Sequence, residues 1–232
     1  MGDRHQGHDR VKHVIAHHGR QAGLRVAEEP ATSTLLRGHR AWGAFEDACK
    51  VDGIRAKDLR IDLLVSDDVS GREWEIDTTV PCTTAQLHIA KDLRAIKAKG
   101  DVGLLECSVA VVHAEQAKHD KYEPLLKAQR REVRSGARAV CPTFIAAVVS
   151  HAGHVGSDFV KLIEIFTAVF KRNNTERCRI GRLDGKSLDQ LTAEFRHAFR
   201  TDVQVAVALR AARMFDSAGL RKEYCKKFAL RT

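Results

Sequence analysis

The polar and apolar positions of the chain alternate between two periods. Over HDRVKHVIAHHGRQAGL the apolar residues Val11, Val14, Ile15 and Ala22 recur at helical spacing, and Gly23 follows where a left-handed C-cap would sit. LRVAEEP then reads as a short strand stopped by Pro30, which has no N–H for a ladder. Residues 31–58 read as a partly helical insertion. Residues 60–66 and 73–80 form the clearest hairpin pattern, joined by the turn formers Asp67, Asp68, Ser70 and Gly71. In its second strand the period of two puts Trp74, Ile76 and Val80 on one face and Glu73, Glu75, Asp77 and Thr79 on the other.

Beyond the hairpin, TTAQLHIAKDLRAIKAKG fits a helix ended by Gly100, and VGLLECSVAVV fits either a further strand or the start of a helix. HAEQAKHDKYEPLLKAQRREVRSG is helical in pattern, with Glu115, Lys118 and Tyr122 on one face, and Pro124 predicts a kink or a restart. The β-branched run in ARAVCPTFIAAVVSHAG fits a buried strand. From Ser157 onward two or three helices are expected, the first two opening at capping residues. The order helix, strand, hairpin, helix, strand, helices predicts an α/β layer sandwich with a mixed β-sheet flanked by helices. The expected division is a core over residues 1–156 and a C-terminal helical extension over 157–232, packed on the core.

Composition narrows the function classes. With 44% hydrophobic and 30% charged residues in 232, a packed core is feasible and disorder is not the default. The formal charge of +9 suits a polyanionic partner, and an aromatic content of 6% disfavours a base-stacking, single-strand platform. The arginine-rich segments KAQRREVRSGAR and KRNNTERCRIGR and the terminal RKEYCKKFALR are either solvated faces or tracks for phosphates. The six cysteines lie far apart, without the ladder spacing of a zinc site, and read as reduced thiols. With no secretion-type leader and no apolar run of membrane-spanning length, a soluble, intracellular protein is expected, nuclear if the host is eukaryotic.

The two hairpin aspartates, Asp62 and Asp77, pose the chemical question. Carboxylates on paired antiparallel strands can hold one divalent cation, and hard oxygen ligands suit Mg²⁺. The bland alternative is that Asp62 opens a strand against an arginine while Asp77 sits on a solvated face. His13, His17 and His18 read as surface residues, since His13 and His17 lack a nearby third ligand. Asp9 reads as a helix cap, His8 as facing a substrate or capping, and Glu115 as a solvated partner of Lys118.

Taken in order, HDR at residues 8–10, Glu29-Pro30, Arg60-Ile61-Asp62, Asp77-Thr78-Thr79-Val80 and AEQAKHDKY at 114–122 resemble the restriction-like endonuclease domain of site-specific non-long-terminal-repeat retrotransposons. That domain is a divergent member of the PD-(D/E)xK nuclease superfamily, and the likeness spans roughly residues 5–150. It implies a restriction-endonuclease-like fold, with Asp62 and Asp77 as metal-binding acids, Lys118 as a catalytic lysine displaced onto a helix, Tyr122 as its companion and Glu29 as an additional acid. It further implies Mg²⁺ or Mn²⁺ as cofactor, hydrolysis of phosphodiester bonds in double-stranded DNA, and a reverse transcriptase or other mobile-element protein as a partner. Ile61 stands where the family has proline, Thr79 stands where the ordinary (D/E)xK lysine would be, and the spacer from Asp77 to Lys118 is long. Lys121 and Lys91 therefore compete for the lysine's role. The alternative function is a nucleic-acid-binding module of the same fold without catalysis.

Overall fold

A computed structural model describes residues 3–30, 35–36, 39–51, 53, 55–56, 59–81, 108–150, 152–179 and 185–217. The expected helix over TTAQLHIAKDLRAIKAKG, Lys91 and the terminal RKEYCKKFALR lie outside the described residues. So do Cys82, Cys107 and Cys225, whereas Cys49 and Cys141 are free thiols.

The elements run α1 (Asp3–Gln21), β1 (Arg25–Glu28), α2 (His39–Val51), β2 (Leu63–Asp67), β3 (Arg72–Thr79), α3 (Val109–Arg134), β4 (Thr143–Val148), α4 (Ser157–Arg179) and α5 (Leu188–Ser217). The sheet has the order β1-β2-β3-β4: an antiparallel meander over the first three strands, then a parallel β3–β4 pair reached through α3. This is the mixed α/β architecture the periodicities predict. Among the described residues no helix is long and apolar enough to cross a membrane.

Local chemistry sets the boundaries. α1 ends in a Schellman pair, with Leu24 N–H donating to Gly19 O and Gly23 N–H to Arg20 O, both at 3.0 Å, and Gly23 takes φ 87°. α5 opens with a capping box: Ser187 Oγ accepts from Gln190 N–H at 3.2 Å, and the Gln190 side chain accepts from Ser187 N–H at 2.9 Å. At the hairpin turn Asp67 accepts from Val69 N–H at 3.1 Å and from the Ser70 hydroxyl at 2.5 Å. The Arg172 guanidinium on α4 grips the same carboxylate with two 2.8 Å bonds, holding it far below its usual range. Pro124 does not restart the helix: α3 runs as one 26-residue element, so the lost hydrogen bond is tolerated where neighbouring Tyr122 and Leu125 are fully buried.

The sheet is covered on both faces, and the core is divided accordingly. Leu63, Val65, Trp74, Ile76, Ile145 and Ala147 pack against α1, α4 and α5, with Phe159, Phe166 and Phe199 filling the layer. Helices α4 and α5 therefore share one apolar cluster with the sheet. On the other face Phe144, Ala146 and Val148 meet α2 and α3 through Phe45, Tyr122 and Leu125. This second layer overturns the expectation of a solvated face beside Trp74: Glu75 and Asp77 point away from Trp74, but into a helix and not into water.

His18 is likewise buried, not superficial, stacked 4.5 Å from the Phe199 ring with Nε2 2.9 Å from Asp202 on α5. Asp9 lies within α1 and does not cap it.

Gly23→Ala should lower stability by about 1–3 kcal/mol, because a side chain is strained at positive φ and its Cβ would stand 2.6 Å from Asn173 Nδ2. Thermal unfolding measures it, at about 2–4 °C per kcal/mol for a chain of this size.

Candidate active site

The site forms where β2 and β3 part company. Their last paired residues are Leu63 and Ile76, so Asp62 and Asp77 are the next positions on either strand. Asp62 is not inside β2 as the hairpin pattern predicts; it stands one residue before it, held by its backbone. Its N–H donates to Ile76 O at 3.1 Å, and its carbonyl accepts from Glu29 N–H at 2.7 Å. With no further β2 residue in register, the side chain of Asp62 replaces the missing strand partner: Oδ2 accepts the Thr78 N–H at 2.6 Å.

Asp62 Oδ2 also lies 2.9 Å from His8 Nε2, while His8 Nδ1 lies 3.2 Å from Asp9. Burial pushes the Asp62 carboxyl up, but His8, the Thr78 N–H and the nearby Lys118 charge outweigh it and leave the group below its ordinary range. His8 is raised in return, chiefly by its hydrogen bond to Asp62. No arginine is needed to neutralise Asp62.

One turn along α1, the Lys12 side chain is buried and donates to Glu29 Oε1 at 2.5 Å. The Glu29 side chain is 66% exposed and its backbone has φ 48°, immediately after β1 and before Pro30. The structure thus places Glu29 at the rim, beside Asp62 through the backbone and neutralised by Lys12. Lys12 is a site-proximal charge that helical spacing on an apolar face concealed.

Asp77 is 3% exposed in β3. Lys118 reaches it from α3, its Nζ in direct ionic contact with Oδ2. Burial raises the Asp77 carboxyl to about 6, with the Asp62 charge adding to the rise and Lys118 opposing it. The three groups singled out first in the sequence, Asp62, Asp77 and Lys118, are therefore brought together. Lys121 lies 5.0 Å from the centre of the Tyr122 ring and within electrostatic reach of Asp77, but the direct contact belongs to Lys118.

Tyr122 shares the sheet-facing side of α3 with Lys118, as the spacing predicts. It is fully buried, and its hydroxyl donates to Arg60 O at 2.5 Å, two residues before Asp62. Burial, followed by the nearby Asp77 and Asp62 charges, raises its phenol further and keeps it neutral. Its geometry anchors the approach to Asp62 rather than opening a hydroxyl to a substrate.

Glu115 differs from its expected role. It caps α4, accepting from Asp158 N–H at 2.6 Å and from the Ser157 N–H and hydroxyl at 3.3 and 3.2 Å.

Asp77 ends a row of carboxylates on β3, each met by α3 or the residues just past it. Glu73 pairs with Arg138, and Glu75 accepts from Gln129. Arg138, from a segment expected to be solvated or phosphate-tracking, is buried and also donates to Leu35 O at 2.9 Å. Glu75 is fully buried, and desolvation raises it to about 7 against the opposing effects of Gln129 and Arg138.

In comparisons with known proteins, no family model matches this chain and no curated protein sequence matches it. Residue chemistry alone therefore speaks to function. Among the described residues, no group of three or more His, Cys, Asp or Glu side chains is arranged to hold a metal ion. A closed zinc site, which needs such a set, does not fit. Two carboxylates do fit the habit of Mg²⁺ or Mn²⁺, which take one or two acids and complete their shell with water and phosphate oxygens. The buried Asp77 carboxylate, held by the Lys118 ammonium, is a suitable ligand group.

Removing the ammonium with Lys118→Met should move the Asp77 titration above its present value near 6, because a cation that favours the charged form is lost. Carbon-detected NMR of the side-chain carboxyls checks this. Glu75→Gln should stabilise the protein by about 1–3 kcal/mol at pH 8, and the gain should vanish toward about pH 4. The sign follows from a folded value raised above the unfolded one: native-state stability falls as pH rises from about 4.5 toward about 7. Denaturant melts at the two pH values measure the difference.

Proposed function

We propose that the protein is a metal-dependent DNA endonuclease that hydrolyses phosphodiester bonds, with Asp62 and Asp77 as the metal-holding acids and Lys118 as the catalytic lysine. The observation that carries this reading is the meeting of the Lys118 ammonium with a buried Asp77 that also feels the charge of Asp62. The resemblance to the retrotransposon endonuclease domain adds that such a lysine is supplied from the helix after the second acid. The restriction-endonuclease-like variety of the α/β fold belongs to the same proposal, as do a mobile-element context and a partner polymerase.

Each residue has a definite task. Asp77 presents its carboxylate from β3 and Asp62 from the residue before β2, where its backbone is bonded to Ile76 and Glu29, so the anionic site is preorganised. When bound there, Mg²⁺ or Mn²⁺ would supply Lewis acidity, screening the phosphate charge and making a nearby water more acidic. Lys118 places an ammonium beside that charge, able to steady the equatorial phosphate oxygens as negative charge builds on them. His8 and the Thr78 N–H fix the Asp62 carboxylate in its ionised form and orientation. The Tyr122 hydroxyl holds the carbonyl of Arg60, and the Glu29 N–H holds that of Asp62 itself. The surplus of nine positive charges would attract the duplex backbone.

Asp62→Ala, Asp77→Ala and Lys118→Ala should each reduce plasmid nicking in Mg²⁺ by about 100-fold or more, with DNA retention in a filter-binding assay largely kept. EDTA should abolish nicking by the unaltered chain. Because Asp77 must be ionised to hold the cation, less Mg²⁺ should be needed for half-maximal nicking as pH rises through about 6. Tight DNA binding without nicking in either metal would favour the non-catalytic binding module.

A further inference from the structure

Hydrolysis of a phosphodiester needs more than an activated water. The departing oxygen leaves as a strongly basic alkoxide unless a proton meets it, so a site with two acids and a lysine lacks one function. Histidine is the side chain best suited to supply that proton near neutral pH. Among the described residues, His8 touches Asp62 of the cluster and His119 follows Lys118 in the chain. His8 has both ring nitrogens engaged, one by Asp9 and one by Asp62. His119 does not.

His119 follows Lys118 on α3, and the two residues address adjacent strands. Lys118 covers Asp77 on β3, while the His119 ring stands edge-on to Phe144 of β4, 5.2 Å between centres at 84°. Its Nε2 lies 2.6 Å from Asp158 Oδ2. The same oxygen lies 3.3 Å from the N–H of Ala146, the residue paired with Asp77 across the β3–β4 ladder. Asp158 is further fixed by Lys161 at 2.8 Å and by its own N–H, which donates to Glu115. Burial raises the Asp158 carboxyl, but Lys161, His119 and the Ala146 N–H more than offset it, so the carboxylate stays charged.

Among the described residues no partner lies within hydrogen-bond distance of His119 Nδ1, and the side chain is 38% exposed. The charged groups on the elements packed about the ring are Asp158, with Lys161 and Glu115 bound to it, and on its own helix the preceding Lys118, which pairs with Asp77. A carboxylate that orients one imidazole nitrogen and leaves the other open is the arrangement used for proton transfer.

We propose that His119, oriented by Asp158, is the general acid that protonates the leaving oxygen of the scissile phosphodiester. This rests on the nuclease reading of the Asp62, Asp77 and Lys118 cluster. In its imidazolium form His119 donates through Nε2–H to Asp158 and carries its transferable proton on Nδ1. As a water oxygen bonds to phosphorus and the opposite P–O bond breaks, the electron pair of that bond goes to the leaving oxygen, which takes the Nδ1 proton. The attacking water releases its own proton to solvent, and neutral His119 recovers one from solvent.

The test changes the leaving atom. The nick that the full chain makes in a plasmid with Mg²⁺ is mapped, and a duplex is prepared with sulfur replacing the leaving bridging oxygen at that bond. A thiolate departs without protonation, since thiols are more acidic than alcohols by several pKa units. H119Q is expected to slow cleavage of the oxygen duplex by about 100-fold or more and to cleave the sulfur duplex within a few-fold of the unaltered chain; D158N should show the same pattern in weaker form. Equal losses on both duplexes would overturn the proposal and leave His119 a tether between α3 and α4. So would unimpaired cleavage of the oxygen duplex. Should H119Q melt below the assay temperature, D158N is read by the same criteria. Lys118→Ala, by contrast, should be slow on both duplexes, and failure of the unaltered chain to nick at all would overturn the nuclease reading itself.

Discussion

An ionised carboxylate is costly to bury, and Asp77 is buried between a strand and a helix. The ammonium of Lys118 makes that tolerable, and the contact ties α3 to β3 at the place where β2 has ended. The same logic continues along the strand. Glu73, Glu75 and Asp77 project from one face of β3, and Arg138, Gln129 and Lys118 answer them in turn. The seat of α3 on the sheet is thus specified by charge and hydrogen bonding as well as by the apolar contacts of Tyr122, Leu125 and Phe144. The match is incomplete: Glu75 Oε2 and Gln129 Oε1 are buried without hydrogen-bond partners. A layer chosen only for stability would have used apolar residues of similar volume there.

The two acids are shifted in opposite directions by their surroundings. Asp62 gathers a histidine and a backbone N–H and is kept ionised. Asp77 has one ammonium against the cost of its burial and is raised to about 6. Pairs of titratable groups driven apart in this way are characteristic of sites that bind cations or move protons, although structural ion pairs produce shifts as well. Their placement at a strand end is mechanically sound, because the backbone of Asp62 is fixed by Ile76 and Glu29 while its side chain completes the edge of β3. Carboxylates on such rigid supports lose little freedom when they engage a ligand.

Helices α4 and α5 contribute to this arrangement from the opposite face. Arg172 locks the hairpin turn through Asp67, and Phe159, Phe166 and Phe199 fill the layer beneath Trp74 and Ile76. The start of α4 touches the site side too, since Glu115 caps it and Asp158 reaches both His119 and the backbone of β4. The hairpin is therefore constrained from both sides, and the geometry of its two aspartates depends on nearly every element of the fold.

Sequence periodicity by itself determined the type and order of the elements, because a strand alternates and a helix repeats regardless of context: the hairpin, the buried strand after Pro142 and the long helix bearing Lys118 were all legible. The two hairpin aspartates stood out by their type and place, whereas Lys118 was singled out from Lys121 and Lys91 by the family resemblance, and the structure gives the contact with Asp77 to Lys118. Which polar residues are buried was not. Nothing local distinguishes Lys12 or Arg138 from a solvated cation, His18 from a surface histidine, or Glu115 from an exposed partner of Lys118. Burial is a property of what packs above a residue, and only the tertiary structure decided that α3 would cover the polar face of β3 and that His119 and Asp158, 39 residues apart in the chain, would meet beside it.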